Sequence, residues 1–135
     1  MLKLTLIVLM AVPLPTAVRA TIAERWPQAT VAKVEAEANG ELEVAFTSLQ
    51  GAFEVTFAAD GGVISEERKI ALKATPATVQ KTIAGWKQLR VQGIEQVTEA
   101  GVTYYEISAS PASGPRLEIV LDANGTELKR APATE

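Results

Sequence analysis

The sequence predicts an α+β protein made of two tandem repeats, each a helix followed by four strands, that form one antiparallel sheet with both helices packed on one face. Three observations predict this fold: the chain resembles itself at a shift of just over 60 residues, each half opens with an amphipathic helical segment, and alternating strand-like runs follow each helix. An amphipathic helix buries its apolar stripe when it packs on the apolar face of a sheet, which gives two layers.

The self-similarity occurs at two places in each half. The segment "LPTAVRATIAERW" (14–26) aligns with "TPATVQKTIAGW" (75–86) at a shift of 61 residues, and "FEVTFAADGGVI" (53–64) aligns with "LEIVLDANGTEL" (117–128) at a shift of 64. Because the matched segments keep the same order, each half is expected to contain the same helix, strands and closing hairpin. We place the repeats at residues 13–68 and 69–135.

Residues 1–12 are a possible signal peptide or a first strand. Lys3 followed by "LTLIVLMAV" has the charged start and apolar core of a signal peptide, and this run is too short to span a membrane as a stable helix. The repeat favours a strand, because "KIALKATP" (69–76) precedes the second helix as these residues precede the first. Cleavage after "VRA" would cut through the first helix, so any cleavage is expected before Leu14.

Apolar residues recur at helical intervals in both repeats. They are Val18, Ile22 and Trp26 in the first helix and Val79, Ile83 and Trp86 in the second. This spacing puts each set on one helix face. Pro15 and Pro76 suit the first helical position, and Thr75 is a candidate N-cap for the second helix. Both tryptophans are expected to pack in the core.

Runs with a period of two follow each helix and are separated by turn residues. The predicted strands are "TVAKVEAE", "ELEVAFTSL", "FEVTFAA" and "VISEERKIAL" in the first repeat and "RVQGIEQVTE", "VTYYEISAS", "RLEIVLD" and "TELKRA" in the second. Side chains alternate across a strand, so one set faces the core. The predicted core residues are Leu42, Val44, Phe46, Phe53, Val55, Phe57, Leu117, Ile119 and Leu121.

Composition excludes several classes of chemistry. The chain has no Cys and no His, which removes thiol nucleophiles, disulfides, the Ser-His-Asp relay and the usual nitrogen and sulfur ligands of zinc. The net charge is −3 and no basic run is present, which argues against nucleic acid as a partner. No catalytic, cofactor or metal site is predicted.

The polar sheet face is the candidate partner-binding surface. Its predicted residues are Glu41, Glu43, Glu54, Thr56, Tyr104, Glu106 and Glu118. One interpretation is a solvated acidic face that keeps the sheet soluble. Another is a shallow docking surface for a basic partner, with Tyr104 as its aromatic anchor. A paired-carboxylate hydrolase site or a set of oxygen ligands for a divalent cation are two further interpretations.

The order of these elements resembles the PepSY-like family, whose members are described as β-lactamase-inhibitor-like proteins. The first repeat carries the resemblance at Leu14, Pro15, Val18, Ile22, Trp26, Pro27, Val34, Glu35, Asp60 and Gly61. The second carries it at Pro76, Val79, Ile83, Trp86, Ile94, Glu95, Asn124 and Gly125, with Lys87 where the first repeat has Pro27. The resemblance covers nearly all of residues 14–130.

The resemblance implies an exported protein, periplasmic or secreted, that has no enzymatic activity. It implies that the exposed face of the sheet, opposite the helices, binds or inhibits a protein of the cell envelope. The alternative function is a periplasmic sensor of a small molecule or a divalent cation. An enzyme is a distant third interpretation.

Overall fold

The structure, a computed structural model, describes residues 5–7 and 14–133. The chain divides into two compact units, unit 1 (Met1–Arg68) and unit 2 (Lys69–Glu135). Each unit contains one α-helix and an antiparallel sheet. The predicted α+β class and the antiparallel pairing of the strands are therefore confirmed.

Among its described residues, unit 1 contains one α-helix and five strands. Its elements in chain order are β1 (Thr5–Ile7), α1 (Thr16–Arg25), β2 (Thr30–Glu37), β3 (Leu42–Ser48), β4 (Gly51–Phe57) and β5 (Val63–Lys69), whose last residue lies past the unit boundary. Each strand pairs antiparallel with the next one along the chain. This meander follows from the short turns, which bring each strand back beside the one before it.

Unit 2 has the same order of elements after its helix. It contains a 3-10 helix (Leu72–Ala74), α2 (Ala77–Ala84), β6 (Leu89–Glu99), β7 (Val102–Pro111), β8 (Leu117–Asp122) and β9 (Glu127–Pro132). The strands again pair antiparallel in chain order. None of the helices among residues 5–7 and 14–133 is both long enough and apolar enough to cross a membrane.

The core of unit 1 lies between α1 and one face of the sheet. Val18 and Ile22 of α1 are buried in one cluster with the predicted core residues of β3 and β4, except that Leu42 is only partly buried and packs against this cluster. Trp26 is only 2% exposed, and its ring centroid lies 5.0 Å from that of Phe46 and 5.6 Å from that of Phe53. The predicted core of this unit is confirmed, with aromatic packing at its centre.

The core of unit 2 repeats this arrangement with smaller side chains. Val79 and Ile83 of α2 are buried with Ile107, Ile119 and Leu121 of the sheet. Trp86 packs against this cluster but is only partly buried. The Arg130 guanidinium lies 5.7 Å from the centre of the Trp86 ring, a distance at which a cation and an aromatic face attract each other.

Both helices end before their tryptophans. Trp26 follows α1 in a non-helical conformation (φ −131°, ψ 76°), because a residue that precedes a proline is sterically disfavoured in the helical region and Pro27 comes next. In unit 2, Gly85 closes α2, and the Trp86 N–H donates to the Ile83 carbonyl. The expectation that each helix runs through its tryptophan was wrong by one or two residues.

Thr75 does not cap α2, contrary to the expectation from sequence. Pro76 holds the N-cap position with extended dihedral angles, as Pro15 does for α1, and neither helix has a side-chain cap. The Thr75 hydroxyl instead donates to the Leu72 carbonyl at 2.7 Å, at the end of the 3-10 helix. The Leu72 carbonyl lies in the segment between β5 and α2, so the Thr75 hydroxyl has an acceptor close by in the chain. This local hydrogen bond competes with capping of α2.

The segments before the two helices differ in structure. Thr5–Ile7 form β1, which pairs with Glu35–Glu37 of β2. The rest of the predicted signal peptide or first strand, residues 1–4 and 8–12, lies outside the described residues. In "KIALKATP" (69–76), Leu72–Ala74 form the 3-10 helix rather than a strand, so the symmetry expected between these two segments is not present at those residues.

Candidate binding face

In each unit the sheet face opposite the helix is called the outer face. In unit 1, β3 and β4 place Glu43 opposite Thr56 and Ala45 opposite Glu54, in alternation with the buried pairs of the core. Glu43, Glu54 and Thr56 therefore share the outer face, as side-chain alternation predicts.

Glu41 is the predicted residue that does not belong to a strand. It lies in the turn between β2 and β3, where its N–H donates to the Asn39 side chain at 3.1 Å and its carbonyl accepts from the Glu37 N–H at 2.9 Å. The Asn39–Gly40 turn ends β2 early and leaves Glu41 outside the ladder. Its position is fixed by this turn rather than by the sheet.

The outer face of unit 1 carries a cation beside its carboxylates. Lys33 forms a salt bridge with Glu35 on the same strand, and Glu35 lies opposite Glu43. The hydrogen bond and the charge of Glu35 raise the pKa of the Lys33 ammonium above its usual value. Part of the acidic charge predicted for this face is therefore balanced locally, although exposed pairs of this kind stabilise folding only weakly.

The outer face of unit 2 holds the other three predicted residues. Strands β7 and β8 place Tyr104 opposite Asp122, Glu106 opposite Val120, and Ser108 opposite Glu118. The Tyr104 hydroxyl lies 3.4 Å from a carboxylate oxygen of Glu99 and donates to it. Tyr104, Glu106 and Glu118 are all half-buried, so they form part of a packed surface rather than loose solvent-exposed side chains.

Glu95 on β6 is a member of this face that the sequence analysis did not assign to it. It lies directly opposite Glu106 in the β6–β7 ladder. The signal was present in the sequence, because the two-residue turn Ala100–Gly101 fixes the register of this hairpin and the pairing can be counted back from it. Counting along the predicted hairpin would have placed Glu95 beside Glu106.

An open depression of about 470 Å³ lies in unit 2, and its walls include Glu95, Glu106, Glu118 and Arg116. Gly93 and Ser108, which are paired across β6 and β7, also line it. A Cβ added at Gly93 would meet no atom within 4 Å, so the small residues leave this space open. Neither Gly93 nor Arg116 was predicted to belong to this face. An isolated glycine in a strand and a single basic residue after a loop are weak indications of a binding site.

Glu106 is the residue of this face whose carboxyl pKa is strongly shifted. Burial of its carboxyl group, the nearby charges of Glu118 and Glu95, and a hydrogen bond with Glu118 raise the pKa of Glu106 to about 7. Lys129 acts in the opposite direction but does not offset these effects. Near neutral pH this face therefore carries less negative charge than its count of glutamates suggests.

Comparisons with known proteins match this chain by its structure. No family model matches this sequence, and no curated protein matches it. The solved structures that match share 16–17% sequence identity with this chain in the three cases described below. Likeness at this level of identity shows a shared fold.

The three structures come from Bacteroides species. A DUF2874 family protein from Bacteroides ovatus ATCC 8483 has a TM-score of 0.77 over 90% of this chain and 89% of that chain, at 16% identity. A protein from Bacteroides eggerthii DSM 20697, described provisionally as periplasmic, has a TM-score of 0.77 over 89% of both chains, at 17% identity. A BLIP-like protein from Bacteroides fragilis NCTC 9343 has a TM-score of 0.76 over 92% of this chain and 89% of that chain, at 16% identity.

Proposed function

We propose that this chain is a non-enzymatic, exported PepSY-like protein, made of two tandem repeats, that binds or inhibits another protein of the cell envelope. Binding occurs through the outer faces of its sheets. The observation that carries the proposal is the outer face of unit 2, where aromatic Tyr104 shares a packed surface with half-buried Glu106 and Glu118. Tyrosine is enriched among the residues that dominate binding energy at protein interfaces.

The tandem repeat is supported by matching contacts in the two units. The Thr21 hydroxyl on α1 lies 2.9 Å from the Gly61 carbonyl, and the Thr82 hydroxyl on α2 lies 2.7 Å from the Gly125 carbonyl. In each unit this bond ties the middle of the helix to the turn of a hairpin. Thr21 aligns with Thr82, and Gly61 aligns with Gly125. The aligned residues therefore make the same contact in both units, as duplication of one unit would produce.

The proposed class of function is supported by the fold and by the shape of the site. One structure with the same fold is described as BLIP-like and another provisionally as periplasmic. The depression in unit 2 is open, and its walls combine carboxylates with the guanidinium of Arg116 and the ammonium of Lys69. An open, charged surface suits another protein better than a small apolar molecule, which needs an enclosed pocket to bury most of its area.

The same geometry argues against a carboxylate-dependent hydrolase. Glu106 and Glu118 are diagonal neighbours on adjacent strands and line an open depression. A retaining glycosidase holds its two carboxyl groups about 5 Å apart, on either side of the sugar, and an inverting enzyme holds them farther apart. The open face has no deep cleft that would hold a sugar between these two carboxyl groups. The chain also has no His to act as a general base.

The binding proposal is tested with a variant of Tyr104. Folded protein is immobilised, incubated with a periplasmic extract, and the affinity of any captured protein is then measured. We expect Tyr104→Ala to weaken that affinity about tenfold or more, because truncation of a central aromatic side chain removes 1–2 kcal/mol or more of binding free energy. Leu72→Ala is the control, since Leu72 is 45% exposed and lies in the 3-10 helix, outside the strands that form the outer face. Equal affinity for both variants and the unmodified protein would contradict the proposal.

A periplasmic sensor of a divalent cation or a small molecule is the second candidate. The observation that favours it is the accumulation of carboxylates on the outer faces, because carboxylate oxygens are the ligands that calcium prefers. The measurement is the thermal midpoint of unfolding with and without millimolar calcium. A rise of several degrees would support the sensor, since a ligand that binds only the folded state stabilises it; an unchanged midpoint would favour the protein-binding function.

A further inference from the structure

The turn between β2 and β3 contains the dipeptide Asn39–Gly40, and both of its residues are exposed. The Gly40 N–H donates to the Glu37 carbonyl at 3.0 Å, and the Glu37 N–H donates to the Glu41 carbonyl at 2.9 Å, so two backbone bonds close the turn. Gly40 has φ +87°, and a Cβ added there would meet no atom of the described residues within 4 Å. No described residue therefore packs against this side of the turn.

The turn between β8 and β9 has the same backbone hydrogen bonds around a second dipeptide of the same kind, Asn124–Gly125. The Gly125 N–H donates to the Asp122 carbonyl at 3.0 Å, and the Asp122 N–H donates to the Thr126 carbonyl at 3.0 Å. Gly125 also has positive φ, at +81°. The two turns therefore present the same two residues in the same kind of turn, and a difference in their reactivity is expected from their surroundings.

The surroundings differ because α2 lies against the second turn. The Thr82 hydroxyl donates to the Gly125 carbonyl at 2.7 Å, and the Thr78 hydroxyl donates to the Ala123 carbonyl at 2.6 Å. Gly125 is buried, and a Cβ added to it would overlap the Thr78 carbonyl oxygen. Helix α2 therefore holds this turn in place, although the Asn124 side chain itself is exposed.

An asparagine that precedes a glycine is chemically labile, because the chain itself supplies the nucleophile. The glycine nitrogen gives its proton to hydroxide and bonds to the side-chain carbonyl carbon of the asparagine. The bond from that carbon to the amide nitrogen then breaks, and this nitrogen takes a proton from water and leaves as ammonia. Water opens the resulting five-membered imide at either carbonyl carbon, which gives aspartate or isoaspartate. Glycine favours the first step because it has no side chain to obstruct the approach.

The Asn39 side chain is arranged for this reaction. Its Oδ1 accepts the Glu41 N–H at 3.1 Å, which folds the side chain back over its own turn. A donor at this oxygen stabilises the negative charge that develops there when the Gly40 nitrogen attacks the adjacent carbon. The bond from the Gly40 N–H to the Glu37 carbonyl must open first, and such opening costs least in exposed turns.

We propose that Asn39 deamidates spontaneously in the folded protein, with the Gly40 nitrogen as nucleophile, and that the packing of α2 protects Asn124. Before Asn124 reacts, its turn must move away from α2 and lose the bonds from Thr78 and Thr82. Two hydrogen bonds lost in this opening slow the reaction by about tenfold or more. This chemistry belongs to the free chain and is independent of the proposed function.

Reaction at Asn39 changes the turn that positions Glu41, one of the predicted partner-binding residues. Aspartate adds one negative charge to a chain whose net charge is −3. Isoaspartate routes the main chain through the former side chain and lengthens it by a carbon atom, so the two bonds that close the turn lose their geometry. A stored sample therefore becomes a mixture of forms that differ at the end of this hairpin.

The two sites are compared in the full chain under native conditions. The protein is stored in mildly alkaline buffer, since attack requires loss of the glycine N–H proton, and samples are digested with pepsin in acid to stop the reaction. Mass spectrometry measures conversion of Asn to Asp in the peptide that contains each site, and enzymatic methylation of isoaspartate identifies the imide route. We expect Asn39 to react faster than Asn124 by about tenfold or more. Equal rates at the two sites, or no reaction at Asn39, would overturn the proposal.

Protein unfolded in urea is the control for the effect of sequence. We expect Asn39 and Asn124 to react at nearly equal rates there, because each is followed by glycine and α2 no longer packs on either turn. A difference of the native size that persisted in urea would assign the contrast to the neighbouring residues in the chain and overturn protection by α2.

Variants of Thr82 test the protection directly. Thr82→Val removes the hydroxyl that donates to the Gly125 carbonyl, and Thr82→Ser, the matched control, retains it. We expect Asn124 to react about fivefold faster in Thr82→Val, the effect of one lost hydrogen bond, while Asn39 reacts at its original rate. Equal rates at Asn124 in the two variants would contradict protection by this bond.

Discussion

At the residue scale, two glycines determine how closely each helix approaches the hairpin turn of its own unit. Gly61 and Gly125 both have positive φ, at +89° and +81°. A Cβ at Gly61 would lie 2.7 Å from the Ala17 carbonyl oxygen, and a Cβ at Gly125 would overlap the Thr78 carbonyl oxygen. Glycine is required at these positions for two reasons, the backbone conformation and the space that the helix occupies.

Substitution of Gly125 tests how much the space occupied by the helix matters, apart from the backbone conformation of the turn. We expect Gly125→Ala to lower the free energy of unfolding by about 3 kcal/mol, because the helix must move away from the turn and the Thr82 bond to this turn is lost. Gly40→Ala is the control, since Gly40 has φ +87° but no atom within 4 Å of an added Cβ, and should cost only about 1 kcal/mol. Urea denaturation measures both values. Equal losses in the two variants would show that space at the turn is unimportant.

Glu106 is the residue at which stability should respond to pH. Its folded pKa of about 7 lies above the ordinary value of 4.5, so between these values the unfolded chain loses a proton that the folded protein keeps. The free energy of unfolding therefore falls as pH rises from about 4.5 to 7, and levels off above 7. We expect the free energy of unfolding of Glu106→Gln to decrease less than that of the unmodified protein over this pH range.

The size of this effect is limited because the carboxyl group is only half-buried. After allowance for screening by solvent, we expect Glu106→Gln to stabilise the protein by about 1 kcal/mol at pH 8 and to have little effect at pH 4. Chemical denaturation at a series of pH values measures the profile. A stabilisation of the same size at both pH values would point to a change in packing and not to the charge.

At the scale of elements, the hairpin between β6 and β7 sets the geometry of the candidate face. Its two-residue turn has φ +51° at Ala100 and +78° at Gly101, and Glu99 pairs with Val102 on either side of it. Positive φ at both positions is the conformation of a type I′ turn, which favours asparagine followed by glycine. Alanine at the first position is sterically strained, and the ladder of two long strands holds it there.

Relief of this strain should stabilise the protein. We expect Ala100→Asn to raise the free energy of unfolding by about 0.5 kcal/mol, because asparagine enters the left-handed region more readily than alanine does. Ala112→Asn, in the loop that follows β7, is the control and should change stability little. The midpoint of urea unfolding gives the comparison, and an unchanged midpoint in Ala100→Asn would argue against strain at this turn.

At the scale of the whole molecule, the first helix limits where an N-terminal export signal could be cleaved. Val18 is fully buried in the core of unit 1, within α1 (Thr16–Arg25). Removal of residues 1–20 would take away half of this helix and a buried valine, and loss of such a side chain destabilises a core by about 2–3 kcal/mol on its own. An export signal that was cleaved after residue 20 would therefore destabilise the folded protein.

The mature N-terminus is therefore a testable property. If the protein is exported with cleavage, we expect the mature chain to begin at or before Leu14, which packs against the core of unit 1. N-terminal sequencing of protein recovered from the periplasm measures this directly. A mature chain that begins at Thr21 and still folds cooperatively would contradict the role of residues 14–20 in the core.

The sequence by itself determined the local structure of this protein. Period-two runs located the strands, Asn-Gly and Asp-Gly dipeptides located turns, and the spacing of Val18 and Ile22 located the first helix and its buried face. These features depend on neighbours within a few residues, and such information is written directly in the order of the side chains. The predictions at Thr75 and at the helix ends were wrong because two local signals competed there. At Thr75 a bond to the Leu72 carbonyl competed with capping of α2, and at the helix ends Pro27 and Gly85 competed with the apolar spacing.

Only the tertiary structure decided which polar residues act together. Glu118 follows a loop whose length does not fix the register of β8 against β7, so its position diagonal to Glu106 could not be counted from the sequence. The raised pKa of Glu106 likewise depends on burial and on charges from three strands, which act through space and not along the chain. The sequence therefore identified the polar face, and the pairing of the strands identified the carboxyl pair within it.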